Sequence, residues 1–258
     1  DGPEVHHILD ELLDTTTDFA DLFTLTWTRL TLSQDHDDTE LLDLCRVALR
    51  EHQWRTVFRC LDVIGSLTTV TSNTRSSVRT IVDDLIADGP NSRHDPTGRR
   101  AAACLVLAGI VDDRQSVREI VHSGIDITAV TADDELLAPA PLLGRAAMAA
   151  HLAGESDAAV LLAGLHVSEG RIGPGGWSGA GESILAKYVL GLHETDQVRR
   201  ADHFNEAAET ARHGQIVPLF ALVHFAAADA ALACAPDYTS DHTIEVYIGY
   251  GRYLESIH

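Results

Sequence analysis

The sequence predicts an all-α protein of roughly a dozen helices, joined by short turns as successive antiparallel pairs. Three observations carry this expectation. Apolar residues recur with helical periodicity along almost the whole chain, and alternating runs are nearly absent. Glycine, proline and acidic breakers fall mainly between the periodic stretches, where they end one helix and start the next. With 45% apolar residues in 258 positions, the chain can bury a real core and offset its ordering entropy.

The elements follow in order. Pro3 suits a first helical turn, and Val5, Ile8, Leu9, Leu12 and Leu13 share a face. Thr17 or Asp18 caps a second helix striped by Phe19, Leu22, Phe23, Trp27 and Leu30. A third starts at Asp38-Thr39-Glu40 and carries Leu41, Leu44, Cys45, Ala48 and Leu49. The polar break Glu51-His52-Gln53 precedes a fourth, with Trp54, Val57, Phe58, Leu61 and Ile64. A fifth, with Val78, Ile81, Val82, Leu85 and Ile86, stops at Gly89-Pro90.

A polar loop spans 91–98, within which Asp95-Pro96 predicts a cap and a helix start. That helix carries Leu105, Leu107, Ala108 and Val111, turns at Asp112-Asp113-Arg114, and pairs with a shorter one over 115–122 ended by Gly124. The Arg-Ala-Ala entry, the acidic turn and the inner face Val117, Ile120 and Val121 resemble a short HEAT-type repeat. Residues 125–131 alternate, and an extended connector is expected there. Helices over 142–153 and 156–167 flank Gly154, and their junction resembles the inter-helix turn of a tetratricopeptide-type repeat. A second such pair is expected over 183–192 and 200–213, with Tyr188, Gly191, Ala201, Phe204 and Ala208 as packing residues. Helices over 216–233 and 241–257 close the chain. The resemblance implies an α-solenoid, with an irregular helical domain as the alternative. An N-terminal helical region over 1–90 and a repeat-like region over 91–258 are expected to form one continuous domain.

Charge narrows the partners. There are 39 acidic side chains against 19 basic ones, a formal net charge of −20, and Lys187 is the sole lysine. Nucleic acid is excluded as a partner because phosphate binding needs clustered Lys and Arg. Self-repulsion of this size is relieved by salt, so the composition resembles cytoplasmic proteins of the halophilic, haloarchaeal type. The alternative is an acidic protein from a high-GC mesophile. Cys45, Cys60, Cys104 and Cys234 show no paired spacing and read as small buried hydrophobes of a reducing compartment. The opening residues lack a signal-peptide pattern, and 219–235 is too short and polar for a membrane span. A cytoplasmic location is expected.

Chemical motifs are weak. Residues 173–183 are glycine-rich; read from Gly176 they give the P-loop spacing but place Glu182 where phosphates need a lysine. The Gly-Glu-Ser triplet resembles a hydrolase nucleophile elbow without the strand that motif requires. A flexible loop over Gly173–Gly181 is expected, with Trp177 as a candidate partner anchor. Fourteen histidines raise metal binding, and Glu4/His7 and Glu119/His122 have the spacing used in di-iron bundles. His203/Glu206, His166/Glu169 and His151/Glu155 are equally cheap pairs, so no metal or cofactor is expected. Arg199-Arg200 and Arg99-Arg100 are positive doublets suited to internal salt bridges, or to an acidic partner.

No catalytic set emerges. The leading expectation is a non-enzymatic scaffold or adaptor binding a protein partner, with Trp177, Arg199 and Arg200 as candidate contacts. The alternatives are a ligand-sensing or enzymatic helical domain with a pocket closed by Gly173–Gly181, and a metal-binding bundle.

Overall fold

The computed structural model describes residues 3–32, 39–64, 71–88, 98–127, 142–168 and 177–214, with Val223, Ala226, Ala227 and Ala230. The protein is all-α: eleven helices and no strand occur among the described residues. They are α1 (Pro3–Thr15), α2 (Phe19–Leu32), α3 (Thr39–Arg50), α4 (Trp54–Ile64), α5 (Ser72–Asp88), α6 (Arg99–Ile110), α7 (Arg114–His122), α8 (Leu143–Ala153), α9 (Ser156–Ser168), α10 (Trp177–His193) and α11 (Gln197–Gly214). The chain divides into two compact units, Asp1–Leu142 and Leu143–His258. The boundary expected near residue 90 lies outside the described residues, and α5 packs on α6 across it.

Local chemistry sets several helix starts. Asp18 Oδ1 accepts the backbone N–H of Ala20 and Asp21 at 2.9 and 3.1 Å, as an N-cap should. Asp113 caps α7 by accepting from Ser116 N–H. One start differs from expectation. The helix predicted to follow Asp95-Pro96 begins at Arg99, after Gly98 at φ 64 with no side-chain cap; Asp95 and Pro96 lie outside the described residues. Ala101 through Ala108 are all buried, so α6 is held by packing on every side and needs no cap.

Three helix pairs share one turn. In α3–α4 the N–H of His52 bonds to Leu49 C=O and that of Gln53 to Ala48 C=O. In α6–α7, Asp112 bonds to Gly109 and Asp113 to Ala108 in the same way; in α8–α9, Gly154 bonds to His151 and Glu155 to Ala150. This double bond pattern is a Schellman closure, and it requires a left-handed residue. His52, Asp112 and Gly154 supply it, with φ of 56, 53 and 86. Burial follows the same register. Leu41, Ala101 and Leu143 are buried at one position of the first helix, and Cys45, Leu105 and Ala147 one turn later. Val57, Val117 and Ala159, then Cys60, Ile120 and Leu162, are buried at matching positions of the second.

Within the first unit α2 packs on α3 and α4, α3 on α4 and α5, α4 on α6, and α5 on α6 and α7. Its core gathers Leu41, Phe58, Leu61, Val78, Leu105 and Ile120. In the second unit α8, α9 and α10 pack mutually and α11 lies on α10. There Ile184, Phe204 and a run of α11 alanines form a cluster with Val223, Ala227 and Ala230. Close approach in this unit depends on glycine: a Cβ on Gly144 would stand 2.2 Å from the Glu182 carbonyl oxygen, and one on Gly191 would stand 2.6 Å from the Phe204 ring. Of the connector expected over 125–131, residues 125–127 are described and are not strand. Of the helix expected over 216–233, the four described residues are helical; the helix expected over 241–257 lies outside the described residues.

Candidate functional site

Among the described residues, three buried polar side chains meet where α10 crosses α8 and α9. Trp177–Gly181, expected to be loop, is the first part of α10, while residues 173–176 lie outside the described residues. Helix forms there despite two glycines because Ala180 packs on the second unit's core and Glu182 and Ser183 are buried behind it. Glu182, 2% exposed, faces Arg145 of α8: its Oε1 lies 2.9 Å from Arg145 Nε, and its Oε2 accepts the Arg145 backbone N–H at 2.9 Å. The carboxylate thus caps the start of α8 while pairing with a side chain of the same helix.

Next along α10, Ser183 Oγ lies 3.0 Å from His166 Nε2 of α9, and both are buried. Burial lowers the proton affinity of His166, and the Lys187 charge lowers it further, so the ring is neutral. Lys187 itself pairs with Glu206 of α11 at 3.1 Å. A neutral imidazole beside a serine hydroxyl is the geometry of a general base and its nucleophile. Ser183 lies beyond the first turn of α10, however, where backbone N–H groups are engaged within the helix and make no oxyanion hole. The hydrogen bond ties α9 to α10.

A second histidine contact joins the C-terminal ends of α8 and α10. His151 Nδ1 lies 3.0 Å from His193 Nε2, with the rings edge to face at 81°. Both side chains are half-buried. One ring donates and the other accepts, and burial together with the neighbouring ring lowers the proton affinity of His151.

The residues singled out from sequence take separate places. Trp177 opens α10. Arg199 stands 69% exposed in the first turn of α11, with Glu194 at 3.7 Å. Arg200 turns inward, its guanidinium 5.7 Å from the centre of the Phe204 ring, so the doublet does not act as one patch. Of the histidine–glutamate pairs, Glu119 binds Arg79 at 2.8 Å, Glu206 binds Lys187, and His7 lies 3.4 Å from Glu11; Glu169 lies outside the described residues. Among the described residues no group of three or more His, Cys, Asp or Glu is placed to hold a metal ion. Cys45, Cys60 and Cys104 are buried as thiols, and burial pushes the Cys60 thiol up to about 12. Cys234 lies outside the described residues. No helix among the described residues is long and apolar enough to cross a membrane.

Sequence reasoning missed Arg145, His166, Glu182 and Ser183 as a group and the His151–His193 contact, since their spacings of 17, 37 and 42 residues match no local motif. Compared with known proteins, the chain matches no family model, no curated protein and no solved structure.

Proposed function

We propose that this chain is a non-enzymatic helical scaffold of solenoid type, an adaptor that presents apolar helix faces to a protein partner in an acidic, salt-adapted cytoplasm. The observation that carries the reading is the outer surface of α9. Val160, Leu161 and Val167 are 38%, 45% and 40% exposed there, and Leu152 at the end of α8 is 48% exposed. Exposed apolar residues grouped on one helix of a strongly charged protein support an interaction surface. Two features support the stacked-hairpin part: three helix pairs close with the same turn, and substantial helix contacts within each unit join helices one or two apart in the chain. Trp177 and Arg199 remain proposed contacts, while Arg200 packs its guanidinium on the Phe204 ring. A photo-crosslinking amino acid at position 161, in cells of the source organism, tests the reading. One discrete heavier adduct is expected from position 161 and none from Glu209 on α11; no adduct from 161 overturns it.

A second reading, an enzymatic or ligand-sensing domain, rests on the buried Ser183–His166 pair. A fluorophosphonate probe that labels wild type but not Ser183→Ala would favour it over the adaptor.

A further inference from the structure

We infer that His151 and His193 form a two-histidine site for a late divalent transition metal, zinc above all, clipping the end of α8 to the end of α10. The distance is the first argument. A metal held at about 2.0–2.1 Å by two nitrogens in adjacent tetrahedral or octahedral positions sets those nitrogens about 2.9–3.4 Å apart. His151 Nδ1 and His193 Nε2 stand 3.0 Å apart already.

The repeat supplies the second argument. His151 occupies the position that Leu49 holds in the α3–α4 hairpin and Gly109 in α6–α7. Leu49 is buried as core and Gly109 is partly buried without a side chain, so the imidazole of His151 is the polar side chain among the three matching positions. It meets a second imidazole delivered by a helix outside the hairpin.

Access and electrostatics agree. Both rings are half-buried, open to solvent yet fixed by their helices. His151 lies in the last turn of α8 and His193 closes α10, so both stand where unsatisfied carbonyls give a helix end partial negative charge. Imidazole selects zinc, copper and nickel over magnesium and calcium, which prefer oxygen. Water completes the coordination shell, which makes the site exchangeable and open to a further ligand.

The test is calorimetric titration of the full chain with zinc chloride at neutral pH, in excess magnesium to occupy the surface carboxylates. One zinc per chain is expected. His151→Gln and His193→Gln, which retain hydrogen-bonding side chains, should each weaken binding by roughly tenfold or more, because losing a ligand costs at least as much as losing a ligand's support. His213→Gln, on exposed α11, should leave it unchanged. Circular dichroism of each variant establishes that it folds, and double replacement should abolish the zinc-induced rise in melting temperature. No zinc binding by the wild type, or equal binding by folded His151→Gln and His193→Gln, overturns the proposal.

Discussion

The two units place their ion pairs differently. In the first, the ion pairs that join helices are partly or largely exposed, while Arg99, Thr74 and Ser116 are among its buried polar residues. Arg29 joins Asp10 and Glu40 across α1, α2 and α3, Arg50 reaches Asp84, and Arg79 spans Asp83, Ser116 and Glu119. In the second, small residues bring helices close, and the polar contacts are inside: Arg145 with Glu182, and His166 with Ser183. Exposed pairs are worth little individually and are screened by salt. A buried pair adds little net stability over an apolar replacement, yet breaking it strands a charge. The first unit should therefore tolerate single losses that the second does not.

The largest difference is expected at Arg145. Arg145→Ala removes the guanidinium 2.9 Å from a carboxylate that is 2% exposed and should lower unfolding free energy by about 3 kcal/mol. Replacing both with leucine should recover most of that loss, since the cost lies in the stranded charge. Urea denaturation measures both. A loss below about 1 kcal/mol for Arg145→Ala, in the range of exposed pairs, would erase the contrast between the units.

Acid separates the units next. His166 and His151 have proton affinities lowered in the fold, so the unfolded chain takes up protons first as pH falls below 6.5. Stability contributed by the neutral rings is complete above that pH and is lost as pH falls through the lower folded values. In the first unit the hydrogen bonds from Ser116 and the charge of Arg79 offset the burial that opposes ionisation of Asp113, and its carboxyl ends below 3.8. Its contribution persists to more acidic pH and disappears only as that carboxylate protonates. Tryptophan fluorescence and hydrogen exchange resolved by segment should show α9 and α10 loosening before α5 and α7. Loss of both together, or no flattening of the profile in His166→Asn, would count against this order.

Smaller effects are expected at the shared turn, and they show how much was legible in sequence. The Asp18 cap, the Gly154 turn and the Asp112-Asp113 turn were readable because each is decided by residues within a few positions. The start of α10 was not, because five glycines over 173–181 read as loop while burial of Glu182 and Ser183 depends on Arg145 and His166 elsewhere in the chain. The shared closure was half legible: Gly154 signals a left-handed residue, but His52 and Asp112 do not. If the three turns are one device, His52→Gly and Asp112→Gly should each stabilise by about 0.5–1 kcal/mol by relieving the left-handed cost. Gly154→Ala should lose about 1 kcal/mol, although a Cβ there meets nothing within 4 Å. Thermal melts of the three variants give the signs, and a stabilising Gly154→Ala would separate that turn from the other two.

The smallest expected effect lies on the first unit's surface and depends on the medium. Arg79 is 38% exposed and contacts Asp83 at 3.0 Å, Glu119 at 2.8 Å and Ser116 Oγ at 2.7 Å. Solvent screens this network, so Arg79→Ala should cost about 0.5 kcal/mol in dilute buffer. In molar potassium chloride the Debye length shrinks to about 3 Å, and most of that cost should vanish. The same salt should raise the melting temperature of the whole chain steeply, because it screens repulsion within a net charge of −20. The Arg145→Ala loss, set by a carboxylate that is 2% exposed, should persist at both salt concentrations. Melts of wild type, Arg79→Ala and Arg145→Ala across a salt series measure all three trends. A melting temperature insensitive to salt would reject the salt-adapted reading, and an Arg79→Ala cost that survives molar salt would show that the contact with Ser116, not the charge, does the holding.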